Sequence, residues 1–168
     1  MDLIVTLGAA GSRARFSTSE FQCALGRGGI GAVKREGDGL TPIGRWPLRR
    51  LFYRPDRLAR PATALPVTAL MPEMGWCDAP ADVNYNRPVT LPYPASAESL
   101  WREDHVYDLI VPLGYNDAPV RPGLGSAIFL HLARPGFEPT EGCVALTQAD
   151  LLAYLAVATT DSAVQVFG

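Results

Sequence analysis

Two side chains near the C-terminal end have the types and spacing for covalent chemistry. His131 ends an apolar run, FLH, and Cys143 follows twelve residues later in the segment TEGCV. A thiol with an ordinary pKa of about 8.5 is mostly protonated at neutral pH, so an enzyme that uses it places an imidazole within reach to remove the proton. His131 and Cys143 are therefore a candidate base and nucleophile.

The residues beside Cys143 favour the same chemistry. Gly142 lets the backbone approach a substrate carbonyl closely, and the amides of Gly142 and Cys143 are candidate donors to a developing oxyanion. A cysteine in a turn that leads towards a helix is also expected to expose its sulfur. Such an arrangement predicts an acyl-transfer site.

Two other interpretations use the same side chains. A cysteine before an apolar residue and a histidine at a strand end are commonly buried without any chemical role. A metal site built from His131, Cys143 and either His105 or Cys77 lacks the short ligand spacing that is typical of structural zinc. We therefore predict no metal and no cofactor, while catalysis and simple burial both remain open on these residues alone.

Composition excludes several classes of protein. The 168 residues carry 15 basic and 17 acidic side chains with no run of like charge, which argues against a nucleic-acid partner. No apolar run approaches the roughly 20 residues of a membrane span, and the start MDLIVTLGAAGSRARF lacks the basic end and cleavage site of a signal peptide. We expect one soluble, monomeric domain over residues 1–168 with no visible export signal.

The distribution of glycine, proline and apolar residues predicts short strands joined by many turns. The chain has 16 glycines and 15 prolines, yet its hydrophobic content of 48% is too high for disorder. The segment 26–46 is expected to be a winding loop, residues 46–94 extended segments and turns, and residues 114–125 a loop. The predicted strands are residues 3–7, 20–25, 106–113, 126–131 and 163–167.

One helix is predicted directly after the candidate nucleophile. Thr147 and Asp150 have the spacing of a capping box, and Leu151, Tyr154 and Leu155 fall on one helical stripe. We therefore expect a helix over residues 148–159 in a mainly β fold.

The His–Cys segment resembles the signature of the L,D-transpeptidase (YkuD-like) catalytic domain, in which a histidine precedes a Ser/Thr-x-Gly-Cys-aliphatic turn. A second segment, KREGDGLTPIGRW at residues 34–46, is similar to the family's Lys-x-Glu-Gly-Asp-x-x-Thr-Pro-x-Gly motif. The likeness continues through WCDAPADVNYNRPV, YDLIVPLGYN and GSAIFLH, as in the short proteobacterial members. Two separated matches in the right order favour catalysis over simple burial.

The resemblance implies a β-sandwich or barrel-like domain with one or two short helices, one of them after the catalytic turn. It implies that Cys143 attacks an amide of a peptidoglycan stem peptide and that a diaminopimelate amine resolves the thioester. His131 matches the general base, which a backbone carbonyl commonly orients, Gly142 matches the turn glycine, and Thr140 matches the Ser/Thr position. The implied partners are donor and acceptor stem peptides, and the implied compartment is the periplasm or cell envelope.

The segment departs from the family pattern in three ways. Glu141 stands where many members have histidine, Ala145 stands where many have a polar or basic residue, and the loop from His131 to Cys143 is short. A carboxylate close to the thiol would oppose thiolate formation. We therefore expect a modified donor or acceptor side of the cleft.

Several further side chains are candidates for binding a peptide, although tyrosines and asparagines in loops also cap turns and exposed basic groups are often only solvated. Lys34 and Arg45 are candidates to meet a stem-peptide carboxylate. The full set of substrate-binding candidates is Thr140, Glu141, Tyr85, Asn86, Tyr107, Asn116, Trp76 and Arg45.

Three functions remain to be compared. The first is a transpeptidase that makes diaminopimelate–diaminopimelate or alanine–diaminopimelate links. The second is a peptidoglycan carboxypeptidase or amidase in which water resolves the same thioester. The third is a non-catalytic module that binds the cell wall, which the presence of both His131 and Cys143 argues against.

Overall fold

The computed structural model describes residues 1–8 and 11–168, and most of its regular structure is β-strand. The first eight strands are β1 (Leu3–Gly8), β2 (Gly11–Phe16), β3 (Ser19–Gln22), β4 (Ile30–Gly31), β5 (Thr41–Pro42), β6 (Gly44–Pro47), β7 (Leu51–Tyr53) and β8 (Val67–Ala69). The others are β9 (Met74–Cys77), β10 (Pro88–Thr90), β11 (Ala97–Ser99), β12 (Leu109–Pro112), β13 (Phe129–Leu132), β14 (Val144–Leu146) and β15 (Ala163–Phe167). The helix α1 spans Gln148–Leu155, and a 3-10 turn spans Pro135–Phe137.

The first five-stranded sheet joins the two ends of the chain. Its strand order is β3-β2-β1-β15-β6, with β1 and β15 parallel at its centre. Leu3 pairs with Val164 and Val5 with Val166, and all four side chains are buried. The last strand, β15, is therefore a central strand whose alternating apolar residues face the core.

The second five-stranded sheet carries the candidate base. Its order is β14-β13-β12-β7-β8, in which β13 is antiparallel to β12 and parallel to β14. His131 on β13 lies opposite Ala145 of β14. All four residues of β13 are buried, as the nearly all-apolar run predicts for a strand covered on both faces.

The main core lies between these two sheets. It combines Val5 and Val164 of the first sheet with Leu130 and Val144 of the second, and α1 adds the buried Tyr154. Burial of such branched side chains on two facing sheets is the principal source of stability in this architecture. The predicted mainly β class, with several sheets and a single α-helix, is confirmed.

A third sheet covers the opposite face of the second one. Its order is β10-β9-β11, and a second apolar cluster includes Phe52, Ile110 and Phe129 from the larger sheet together with Cys143. Because side chains alternate along a strand, Leu130 and Leu132 face the main core while Phe129 and His131 face this second cluster. The candidate base therefore lies on the same side of the sheet as the candidate nucleophile.

The structure contains strands that the sequence did not predict, and β2 and β6 are two of them. The segment Gly11–Phe16 forms β2, paired with both β1 and β3, and only Ala14 and Phe16 of its GSRARF sequence are buried. The end of the predicted loop 26–46 forms β6, which pairs with β15. Pairing to a neighbouring strand supplies the backbone hydrogen bonds in both cases, so a weak side-chain pattern suffices.

The helix is shorter than the predicted 148–159. Its start is as expected, because Thr147 Oγ1 accepts a hydrogen bond from Asp150 N at 3.2 Å. It ends at Leu155, and the following residues form turns in which Thr159 N donates to Ser162 Oγ at 3.0 Å. These turns redirect the chain into β15.

No helix among residues 1–8 and 11–168 is long and apolar enough to cross a membrane.

Candidate active site

Cys143 is held by backbone groups immediately before β14. Its Sγ accepts a hydrogen bond from Phe129 N at 3.3 Å and donates to Ala127 O at 3.2 Å. The residue is only 6% exposed, so the expectation of an exposed sulfur is wrong. Cys143 packs into the second apolar cluster, and it also lines a cleft.

The surroundings of the thiol keep it protonated at rest. Burial raises the pKa of the Cys143 thiol to about 12, and the nearby Glu98 and Glu141 carboxylates act in the same direction. The hydrogen bond from Phe129 N and the Lys34 ammonium act in the opposite direction. Thiolate must therefore form during the reaction, with a base at hand to take the proton.

His131 has the tautomer that a base requires. Its Nδ1 lies 2.9 Å from Leu132 O, and because a carbonyl oxygen only accepts, Nδ1 carries the hydrogen and Nε2 keeps its lone pair. Burial lowers the pKa of His131 to about 4, so the ring is neutral at pH 7. The backbone carbonyl takes the orienting position that the family resemblance implies.

Tyr107 fixes the other side of the imidazole. Its ring lies edge-on to His131 with 5.4 Å between ring centroids, and its hydroxyl donates to Glu98 Oε1 at 2.5 Å. The Arg102 guanidinium lies over the Tyr107 ring, 5.2 Å from the ring centroid. Burial raises the pKa of Glu98. Tyr107 thus connects the candidate base to a carboxyl group in the cleft.

Thr140 braces the turn that carries the nucleophile. Its Oγ1 donates to Cys143 O at 2.8 Å and accepts from Gly142 N at 3.1 Å. The Gly142 amide is therefore occupied, which corrects the expectation that it serves the oxyanion. The Cys143 amide donates to no other group in residues 1–8 and 11–168, so it remains the candidate oxyanion donor.

Position 142 requires glycine for two reasons. Its φ of 133° is a conformation that side chains rarely adopt, and a methyl group there would lie 2.7 Å from Leu40 O. Leu40 belongs to the KREGDGLTPIG segment, so this contact joins the two sequence motifs directly. The two separated resemblances therefore form one site.

Glu141 stands at the rim of the cleft rather than against the sulfur. Its carboxylate is paired with the Arg27 guanidinium at 2.8 Å, and its side chain is 76% exposed. Solvent and the arginine both weaken its effect on the thiol. The replacement of the family's usual histidine by Glu141 therefore changes the rim of the cleft.

The cleft above the pair has a volume of about 610 Å³ and a mixed lining. His131 and Cys143 lie in it together. Its acidic residues are Glu36, Asp78, Glu98, Glu138 and Glu141, and its basic residues besides His131 are Lys34, Arg102 and Arg134. Asp78 Oδ1 is buried and has no hydrogen-bond partner in the described part of the chain.

Five of the predicted peptide-binding residues do not line this cleft. Thr140, Glu141 and Tyr107 line it, whereas the residues outside it are Tyr85, Asn86, Trp76, Asn116 and Arg45. Asn86 is buried and supports the loop before β13, since its Oδ1 accepts from both Ala127 N and Trp76 Nε1 at 3.0 Å.

Tyr85, Asn116 and Arg45 have equally definite places. Tyr85 OH donates to Glu36 and accepts from Gly125 N at 3.0 Å, and Asn116 Nδ2 donates to Gly125 O at 2.9 Å. Both residues therefore hold the loop behind the nucleophile. Arg45 lies on the first sheet, where it pairs with Asp2 at 2.7 Å.

The sequence interpretation missed several residues that line the cleft. Glu36 is part of the KREGD motif and accepts a hydrogen bond from Ser126 Oγ at 2.8 Å, so the motif itself held that signal. Asp78 lies in the WCDAPADVNYNRPV segment of the family likeness but was not singled out, whereas Glu98 and Arg102 lie in segments without a motif or a periodic pattern. Only the folding of the third sheet brings them to the cleft.

The thiols and histidines outside the pair take no part in this site. Cys23 and Cys77 are buried free thiols. His105, the other histidine, is exposed, and its Nδ1 lies 2.7 Å from Asp108 Oδ2. Within the described ranges, no group of three or more His, Cys, Asp or Glu side chains is placed to hold a metal ion.

Comparison with known proteins identifies the family to which this cleft belongs. The YkuD family model, described as the L,D-transpeptidase catalytic domain, matches residues 10–166. No curated protein and no solved structure matches the chain significantly. The matched range contains the His131–Cys143 pair and the segment that packs against its turn. The chain therefore belongs to the L,D-transpeptidase catalytic-domain family, which acts on peptidoglycan.

Proposed function

We propose that this protein is an L,D-transpeptidase that cross-links peptidoglycan stem peptides through a thioester on Cys143. The observation that carries the proposal is that His131 and Cys143 line the same cleft, with His131 on β13 and Cys143 directly before β14, the parallel neighbour of β13. A neutral imidazole with a free Nε2 next to a protonated thiol is the starting state that nucleophilic catalysis by cysteine needs.

The first half-reaction forms the thioester. The Cys143 proton passes to His131 Nε2 while Sγ attacks the carbonyl carbon of a stem-peptide amide, and the oxyanion is received by the Cys143 amide. The C–N bond then breaks, and the imidazolium returns the proton to the leaving amine. Atoms and charge balance, with one amide exchanged for one thioester and one amine.

The second half-reaction transfers the acyl group to an amine. The acceptor ammonium group of a diaminopimelate side chain first loses one proton to solvent, and the resulting amine attacks the thioester carbon. His131 takes the second proton and returns it to the sulfur as the C–S bond breaks. The acidic wall formed by Glu36, Asp78 and Glu98 favours a cationic acceptor over water, because an ammonium group is attracted into a cleft with this charge. This charge distribution supports transfer over hydrolysis, and the substrate implies the periplasm or cell envelope as the compartment.

A muropeptide assay tests the proposal. Purified tetrapeptide muropeptides are incubated with the protein, and the products are separated and identified by mass. The expected products are joined dimers, whose fragmentation distinguishes diaminopimelate–diaminopimelate from alanine–diaminopimelate links. Trimmed monomers without dimers would instead identify a carboxypeptidase or amidase.

The control variants separate the nucleophile from general effects of losing a thiol. Cys143→Ala is expected to yield no product, whereas Cys23→Ala, which removes a thiol of similar burial outside the cleft, is expected to retain turnover. A Cys143→Ala protein that still forms dimers would refute the assignment of the nucleophile.

A further inference from the structure

Lys34 is a buried cation beside the candidate active site. Its side chain is only 3% exposed, and its Nζ lies 2.8 Å from Asp38 Oδ1. Removing an ammonium group from water is costly unless it is paired and hydrogen-bonded. A lysine on a loop ordinarily extends into solvent, so the burial of this one requires an explanation.

The Asp38 carboxylate that pairs with Lys34 is itself fixed by the backbone. Its Oδ2 accepts from Arg35 N at 2.6 Å, and its Oδ1 accepts from Leu40 N at 2.9 Å. These bonds hold the carboxylate within its own loop. The ammonium group therefore has a defined position rather than a range of rotamers.

The Lys34 side chain extends between two glycines next to the nucleophile. A methyl group on Gly142 would lie 3.2 Å from Lys34 Nζ, and one on Gly125 would lie 2.8 Å from Lys34 Cε. Gly142 directly precedes Cys143, and Lys34 and Cys143 both line the cleft. The absence of side chains at both glycines leaves the space that the lysine occupies.

We propose that Lys34 is a positioning residue whose ammonium group stabilises the negative charge that develops at Cys143 when its proton moves to His131. This inference rests on the proposed role of Cys143 as the nucleophile. It assigns to Lys34 an electrostatic role inside the site instead of the contact with a substrate carboxylate that the sequence suggested.

Several other charged and titratable groups surround Cys143, and the two other cations of the cleft, Arg102 and Arg134, are both paired with Asp104. Glu98 and Glu141 bring negative charge, Tyr107 brings a neutral hydroxyl, and the His131 imidazole is neutral at pH 7. Both carboxylates raise the pKa of the Cys143 thiol, whereas Lys34 lowers it. Lys34 thus supplies the compensating charge at a buried thiol that would otherwise resist ionisation.

The rate of Cys143 alkylation by iodoacetamide, followed by peptide mass between pH 6 and 10, measures this effect without a substrate. Lys34→Met keeps the length of the side chain and removes its charge. It is expected to displace the rate–pH profile upward by about one pH unit, which is about tenfold slower labelling at a given pH. A profile that stays in place or moves to lower pH would overturn the proposal.

Asp38→Asn is the matched variant, because it breaks the ion pair and keeps the ammonium group. The proposal predicts that its profile moves to lower pH, because Asp38 no longer offsets the charge of the ammonium group, and an unmoved profile would contradict the proposal. If the pair acts only as a structural clamp, Asp38→Asn moves the profile upward as Lys34→Met does, and that result refutes the electrostatic role. The Asp38→Asn result is decisive alone if Lys34→Met fails to fold, as judged by circular dichroism.

The muropeptide assay on the same variants keeps this inference distinct from the proposed function. A displaced alkylation profile in Lys34→Met, together with no muropeptide turnover by the wild-type protein, would support Lys34 and reject the transpeptidase. Normal turnover by the wild-type protein, together with an undisplaced profile in Lys34→Met, would support the transpeptidase and reject the role of Lys34.

Discussion

At Cys143, burial and hydrogen bonding act on the proton in opposite directions. The hydrogen bond from Phe129 N stabilises a thiolate, whereas burial and the contact from Sγ to Ala127 O stabilise the thiol. Burial dominates, so the thiol and the His131 ring are both neutral at pH 7. The pair is therefore inactive towards solvent and becomes reactive when a carbonyl enters the cleft and proton transfer accompanies attack.

The three cysteines allow a direct test of this arrangement, because all three are buried. We predict that iodoacetamide at pH 8 labels Cys143 faster than Cys23 or Cys77, since only Cys143 lines the cleft. His131→Asn should slow the labelling of Cys143 severalfold and leave the other two thiols unchanged. Peptide mapping by mass gives the three rates. Equal rates in the wild-type protein would mean that burial alone governs reactivity.

The sequence predicted a candidate base and nucleophile, but it did not predict their exposure. His131 and Cys143 lie in a short motif with fixed spacing, so the residue types alone indicated their chemistry. Cys143 is buried in the second apolar cluster, which also contains Leu70 and Leu100 from segments distant in sequence. Local pattern contains no information on such a contact, and for that reason the expected exposure of Cys143 was wrong.

At the level of elements, the site depends on the brace between β13 and β14. Parallel pairing aligns His131 with Ala145, and the Thr140 hydroxyl closes the turn by bonding to both Gly142 N and Cys143 O. Thr41 Oγ1 also donates to Cys143 O, at 3.4 Å. The turn is thus fixed by side chains from both sequence motifs, and small changes in it should move the sulfur.

Thr140→Val tests the brace, because it keeps the shape of the side chain and removes its hydroxyl. We predict that it lowers kcat about tenfold or more with a smaller change in KM, and that it costs about 1–3 kcal/mol of unfolding free energy, since the Gly142 amide loses its partner. Thr140→Ser retains the hydroxyl and should stay close to wild type. Steady-state muropeptide kinetics and urea denaturation measure both. A Thr140→Ser protein that loses as much activity and stability as Thr140→Val would contradict the assignment of the brace to the hydroxyl.

The elements with strong apolar patterns could be predicted from the sequence, whereas strands such as β2 and β6 could not. The runs that contain β1, β12, β13 and β15 gave strands near their observed positions, and the Thr147 cap gave the start of α1. The strands β2 and β6 have few apolar residues, and they form because neighbouring strands satisfy their backbone groups. A short helix also ends where the chain must turn into β15, which residues 156–159 alone do not indicate.

For the molecule as a whole, the layers of sheet leave His131, the candidate base, buried, and this has a consequence for stability at low pH. The pKa of His131 is about 4 in the folded protein, whereas an unfolded chain has the ordinary value of 6.5. Between these values the unfolded state binds a proton that the folded state does not, so stability falls as the pH is lowered through this range. The folded protein gains its own proton only below pH 4, where the loss stops.

We predict that this one side chain costs about 3 kcal/mol of unfolding free energy between pH 7 and pH 4. Other groups titrate as well: burial raises the pKa of Glu98, which opposes the trend, and Asp104, paired with Arg102, loses its contribution at still lower pH. The comparison with His131→Asn cancels these shared effects, because asparagine can still donate to Leu132 O but does not titrate. Urea denaturation of both proteins at pH 7, 5.5 and 4.5 should show the wild type losing stability faster than the variant as the pH falls. A difference between the two that stays constant across this range would mean that His131 titrates normally, and the neutral imidazole on which the proposed base depends would then be absent below about pH 6.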